Sequence, residues 1–325
     1  MPNELQQQLV AKYARHQTFH PRYGWLKKGA DAIERDPQIF SKNDAMLQLG
    51  VGKNMVDSIR FWCEAFKVIQ PINDGSRKIS EYCLTTFAKE LFLPGGVDPF
   101  LESNSTLWIL HWNALSGVVE LPIWFIALSY PTNIDFSETT LTSSISRTLK
   151  NYEIPQPNAA ALKKDISCLL RMYTTTKPRK RESTEDILDS QFRQLNLLRE
   201  STTPGMFSWV DDMKPGLSAE VVQWAVMNFL ATHQTSSIGI DALLFEPGSP
   251  GRLFKIGERF LVDALGSKAQ NGIFQIVKMA SSFQLQLEET PEALLPRVEQ
   301  QLYSSIRREL GTLEGTPLQE GGAKE

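Results

Sequence analysis

The chain of 325 residues carries 34 Lys/Arg against 37 Asp/Glu, a formal net charge of -3, with 42% hydrophobic and 22% charged residues. That balance describes a globular protein with enough polymer for more than one domain, and it excludes a collagenous rod, a disordered tail and a disulfide miniprotein. The cysteines are Cys63, Cys83 and Cys168, with no CxxC pair, so neither a four-thiolate metal site nor a disulfide framework can be assembled from them.

In chain order, Met1 to Val10 is polar and Gln-rich without an apolar signal core, and a cytoplasmic chain is expected. Residues 1–100 hold two more cations than acids, whereas residues 177–325 are acidic on balance. A mildly acidic average is compatible with a local basic face. His16 and His20 stand four apart, a spacing open to zinc ligation or to ring packing. No Glu neighbours His16, however, and Pro21 follows His20. Arg22, Tyr23, Lys27 and Lys28 then cluster before and inside a helix whose apolar side is Leu26, Ala30 and Ile33. They can clamp phosphate, with a bidentate Arg22, a stacking Tyr23 and two point charges, or they can form a solvated helix face.

Ser41 to Leu91 is the most informative stretch. Ser41 reads as the N-cap of a short helix with Asp44 at its third position and Ala45, Met46 and Leu49 on its apolar side; Gly50 stops it. Asn54 reads as the cap of a second helix, where Val56, Ile59, Cys63, Phe66 and Ile69 make a core-facing stripe opposite Lys53, Asp57, Arg60 and Glu64. Val68 to Ile72 reads as a strand and Asn73-Asp74-Gly75 as a hairpin turn leading to Arg77 and Lys78. Helix, tight turn, helix and hairpin make a winged helix-turn-helix. Its docking mode offers Lys53, Asn54, Arg60, Arg77 and Lys78 to DNA. Asp57 and Glu64 argue for a second use, docking protein. Gly50-Val51-Gly52-Lys53-Asn54 is not a phosphate-binding P-loop, because the GxxxxGK[ST] spacing is missing and a helix precedes it.

Leu93 to Pro99 terminates the helix through Leu84 to Phe92. Leu107 to Tyr130 is apolar enough to raise the question of a membrane span, but His111, Asn113, Glu120 and Pro122 make it a buried core helix. His111, Trp108 and Trp112 within it serve packing or base stacking. Thr174 to Glu182 reads as an exposed linker, which gives three regions: 1–100 winged helix, 101–176 helical core and 177–325 helical C-terminal domain with a frayed tail. Phe207 to His233 and Pro291 to Leu310 are its main expected helices. The acidic set Glu182, Glu185, Asp186 and Asp189, and the pair Asp211-Asp212, can hold a divalent ion or simply face solvent. Ser249 and Arg252, in the Gly248 to Arg252 turn, are candidates for a phosphate nest, or the turn merely reverses the chain. The expected fold class is mainly α.

Four segments carry a family resemblance: Phe19 to Gly29 (FHPRYGWLKKG), Leu49 to Met55 (LGVGKNM), Ser105 to Trp112 (STLWILHW) and Gly248 to Lys255 (GSPGRLFK). Together they resemble a bacterial domain family of unknown function that includes the SspB-like DNA nickases of Ssp-type DNA phosphorothioation systems, over roughly Phe19 to Gln301. The resemblance implies single-strand nicking that lets sulfur replace a phosphate oxygen. The implied partners are DNA, a cysteine desulfurase, an ATPase and an adenylating reductase-like subunit, with homo-oligomerisation left open. Phosphodiester cleavage commonly draws on Mg or Mn held by carboxylates, yet no PD...ExK or HNH spacing is present, so the residues themselves name no catalytic group. A non-enzymatic DNA-binding scaffold or regulator is the alternative.

Overall fold

The computed structural model describes residues 4–72, 80–130, 135–175, 190–211, 214–266, 272–279 and 282–314. The elements in order are α1 (Glu4–Gln8), α2 (Trp25–Arg35), a 3-10 turn at Ile39–Ser41, α3 (Ala45–Leu49), α4 (Lys53–Ala65), β1 (Ile69–Pro71), β2 (Tyr82–Leu84) and α5 (Thr86–Phe92). Next come α6 (Asn104–Leu115), α7 (Pro122–Ser129), β3 (Asp135–Ser137), α8 (Glu138–Asn151), α9 (Ala159–Tyr173), β4 (Thr174–Thr175), a second 3-10 turn at Gln191–Leu195, β5 (Leu198–Glu200) and β6 (Met206–Trp209). The remainder is α10 (Ala219–Thr232), β7 (Ser237–Gly239), α11 (Ile240–Phe245), α12 (Pro250–Phe254), α13 (Glu258–Leu265), β8 (Phe274–Lys278), β9 (Phe283–Leu287) and α14 (Pro291–Glu314). The fold is mainly α, with three small sheets ordered β1-β2, β3-β6-β5-β4 and β7-β9-β8.

The apolar stretch through Leu107 to Tyr130 is two helices and not one. Ser116, Gly117 in the left-handed region (φ 58) and Pro122 at the first turn of α7 break it. Both helices are buried on nearly every side, so their composition lacks an amphipathic face because no face meets water. No described helix is long and apolar enough to cross a membrane.

The incoming segment before α2 crosses this core and is held by groups distant in sequence. Val10 N–H donates to Val119 O (2.9 Å) and Val119 N–H to Gln8 O (2.9 Å). His16 Nε2 shares a 2.7 Å hydrogen bond with Asp165 Oδ1, and Trp62 Nε1 donates to Phe19 O (3.1 Å). Rings of Phe61, Trp62 and Trp124 surround His16, so this histidine is a packed core group.

Two expected elements differ from Thr174 onward. Phe207 to His233 is strand β6 followed by α10, because Gly216 (φ 65) turns the chain and the Ser218 hydroxyl caps a new helix by accepting from Val221 N–H (3.3 Å). Thr174 and Thr175, read as linker, pair in parallel with Leu198 and Arg199. Residues 176–189, which include Glu182, Glu185, Asp186 and Asp189, lie outside the described residues, as does Asp212.

Candidate nucleic-acid interface

The face is built on the crossing of α2 and α4. Gly29 on α2 lies so close to Cys63 and Ile59 on α4 that a Cβ there would sit 2.4 Å from Cys63 Sγ. The Val56, Ile59, Cys63, Phe66, Ile69 stripe is buried throughout, and Phe61 and Trp62 widen it toward the aromatic core. Gly50, left-handed at φ 63, ends α3, and Val51 is partly buried against the core. β1 pairs antiparallel with β2 in the register Ile69↔Leu84. The Asn73-Asp74-Gly75 turn, Arg77 and Lys78 fall outside the described residues.

Both expected caps move. Ser41 closes the 3-10 turn and its hydroxyl donates to Ser80 O (3.0 Å), while α3 starts at Ala45. The N-cap of α4 is Gly52, so Lys53 and Asn54 are its first helical residues, and both are exposed. Met46, expected on the apolar side of α3, is 41% exposed, and its neighbour Leu47 is 83% exposed.

Lys28 Nζ donates to Leu49 O at the end of α3 (2.9 Å), which sets the α2 cations beside the turn that leads to Lys53. The Arg22 guanidinium lies 5.3 Å from the Phe19 ring centroid and 5.6 Å from that of Trp25, a stacked and partly buried position. Tyr23 is exposed. Lys27 pairs with Asp31 (2.6 Å) and lies 6.0 Å from the Phe100 ring centroid. Among the described residues Lys53 has no ion pair.

Arg60 is less available than the helical spacing implies. Its guanidinium sits 3.7 Å from Glu64 and 3.9 Å from Asp57, and Glu64 also pairs with Lys12 (3.5 Å), which bridges to Glu120 (2.7 Å). Burial, and the Glu120 carboxylate next to it, push the Glu64 pKa upward. Asp57 and Glu64 are one turn from Arg60 on the same helix, while Lys12 and Glu120 arrive from other parts of the chain and extend the pairing into a charge network on the flank of α4.

The Gly248 to Arg252 turn is structural. Ser249 is fully buried, and its hydroxyl accepts from Arg252 N–H (3.4 Å) as the N-cap of α12, with Pro250 in the first turn. A phosphate cannot reach it. Arg252 Nε donates to Phe245 O (3.1 Å) and its guanidinium lies over the Phe245 ring. Lys255, which ends the helix, donates to Leu128 O (2.7 Å) and sits 4.8 Å from the Trp209 ring centroid. Burial foremost, then the nearby Arg252 charge, brings its pKa down to about 7. His111, Trp108 and Trp112 are all buried, and His111 shares hydrogen bonds with Tyr173 Oη (2.8 Å) and Leu253 O (2.9 Å); none can stack on a base. Among the described residues no group of three His, Cys, Asp or Glu could hold a metal ion.

A model of the family described as protein of unknown function, DUF4007, matches residues 13–303. The chain belongs to this family. No curated protein matches it in sequence. Among solved structures it is similar to a magnesium ion-bound SspB crystal structure, with 31% identity, a TM-score of 0.85, and coverage of 94% of this chain and 91% of that chain. A second SspB crystal structure is 30% identical with a TM-score of 0.85, covering 96% of this chain and 97% of that one. The DUF4007 match takes in the α2–α4 crossing, both ends of the Lys28–Leu49 contact, and the buried Ser249 cap.

Proposed function

We propose that this chain binds DNA and nicks one strand as a step in Ssp-type phosphorothioation, docking the duplex through a winged helix-turn-helix formed by α3, α4 and the β1-β2 hairpin. The observation that carries the reading is the Lys28–Leu49 contact, because it joins two basic groups separated in sequence, Arg22 to Lys28 and Lys53-Asn54, on one face. Likeness to SspB over more than nine-tenths of both chains supports the assignment to that system. Lys27, Lys28 and Lys53 neutralise phosphates, Arg22 adds a guanidinium braced by two rings, and Asn54, with a donor and an acceptor, reads a base edge from the start of α4. The first amides of α4 point the same way and favour an anion there. A cysteine desulfurase, an ATPase and an adenylating reductase-like subunit would be its partners.

The first SspB structure is magnesium-bound, and among the described residues of this chain no group of three His, Cys, Asp or Glu could hold a metal ion. A second reading, a non-enzymatic subunit that positions DNA for a partner's cleavage site, uses the same basic face. Purified protein incubated with supercoiled plasmid and Mg or Mn separates the two. Conversion to open circle, blocked by a chelator, supports nicking. Salt-sensitive binding with unchanged topology supports the positioning role, and no binding at low salt refutes both.

A further inference from the structure

We infer that the groove between α2 and the Phe100 loop receives an unpaired nucleotide of a DNA strand, its base on the Phe100 ring and its phosphates toward Lys27 and Lys28. This rests on the DNA-binding reading above and names the form of DNA that one part of the face takes. The groove has a volume of about 350 Å³ and is lined by Tyr23, Lys27, Lys28, Arg35, Gln48 and Phe100, among others. Two of its walls are aromatic rings left in water: Tyr23 is 58% exposed and Phe100 60%.

The exposure of Phe100 is imposed by the loop. Its neighbour Leu101 is buried and held in the left-handed region at φ 57, which a side chain with a β-carbon disfavours. The buried Asp98 carboxylate accepts from Glu102 N–H (2.9 Å) and Ser103 N–H (3.0 Å), and Leu101 N–H donates to Asp98 O (3.3 Å). With Leu101 pinned inward, Phe100 is turned outward on a braced support.

Charge decides what such a ring can receive. Lys27, Lys28 and Arg35 line the groove with Asp31 as the acid, so a cationic excess surrounds a flat apolar surface. An apolar protein side chain would gain from the ring and nothing from the cations. A paired duplex would gain from the cations and nothing from the ring, since its bases are stacked inside. An unpaired nucleotide presents a π-face and a phosphate together, and stacking on an aromatic accepts any base. A strand opened beside a nick has such nucleotides.

The test is fluorescence anisotropy with a labelled oligothymidylate and, separately, a labelled blunt duplex, on the wild type, Phe100→Ala, Phe100→Trp and Lys53→Ala. Phe100→Ala is expected to weaken oligothymidylate about 5- to 100-fold and duplex by less than about twofold, with Phe100→Trp restoring the loss. Lys53→Ala is expected to reverse that preference. Oligothymidylate binding unchanged by Phe100→Ala overturns the inference while leaving duplex docking intact. Thymidine monophosphate competing as well as the oligomer, molecule for molecule, also overturns it, by assigning the groove to free nucleotide. Phe100-dependent oligothymidylate binding without duplex binding sustains the groove and removes the docking reading. A wild type that binds neither form overturns both.

Discussion

Gly29 on α2 packs directly against Cys63 and Ile59 of α4, and Gly29→Ala tests whether that contact holds the face together. The new Cβ would lie 2.4 Å from Cys63 Sγ and 3.2 Å from Ile59 Cγ2, against a contact distance of about 3.5–4.0 Å. Cys63 is fully buried, so its sulfur has no solvent side to turn to. Overpacking costs about 1–3 kcal/mol, with a contact this short standing toward the upper end at about 2–3 kcal/mol, and the better helix propensity of Ala returns about 1 kcal/mol, leaving a net loss of about 1–2 kcal/mol. Cys63→Ala alone costs about 1 kcal/mol through lost burial. Combined with Gly29→Ala it removes the offending sulfur, so the helix-propensity gain is no longer cancelled and the double variant should be up to about 1 kcal/mol more stable than Cys63→Ala by itself, less what the 3.2 Å approach to Ile59 costs. Urea unfolding followed by tryptophan fluorescence measures all four corners of the cycle. Additivity within about 0.5 kcal/mol, or a Gly29→Ala protein as stable as the wild type, would refute the packing argument.

Lys53→Ala should leave the unfolding midpoint unchanged and reduce the slope of log affinity for duplex against log salt by about one, read from binding titrations at stepped salt. Ser249→Ala should lower stability by about 0.5–2 kcal/mol through loss of the α12 cap without altering duplex affinity; an affinity loss at unchanged stability would restore a phosphate role for this turn. Lys255, with its pKa brought down to about 7 in the fold against about 10.4 unfolded, leaves the folded state with fewer bound protons between those values. Stability should therefore rise with pH from about 7 toward 10, with the burial cost felt in full below pH 7, and Lys67, brought down to about 8 by burial, adds in the same direction. Urea midpoints at neutral and alkaline pH should show this slope reduced in Lys255→Met, and an identical slope in the variant would remove Lys255 as its source.

Much of the α4 face is legible in the chain. Apolar residues spaced by three and four from Val56 to Phe66, with glycine at position 50, specify a helix after a tight turn; Ile69, read as the last member of the same helical stripe, is instead the first residue of β1 because the helix ends at Ala65, although it too is buried. The mainly α class follows from similar patterns elsewhere. Less legible were the breaks at Gly117 and Gly216, where an apolar run or a long helical pattern continues across a residue that turns the chain. The Ser249-Pro250 pair carried a cap-plus-N1-proline signature, which favours the chain-reversing reading of this turn over an anion nest. Phe100 had no periodicity to mark it, being one aromatic in a loop.

Sequence alone determined which residues could be helical, which stripe of α4 turns inward and where cations gather, because those signals act over a few residues. Tertiary structure alone decided which side chains remain available. Lys12 bridges Glu64 on α4 to the distant Glu120, while Lys28 reaches the end of α3 and Phe100 is held outward over the buried Leu101. Availability depends on partners that folding brings from distant positions, and no local pattern encodes who those partners are.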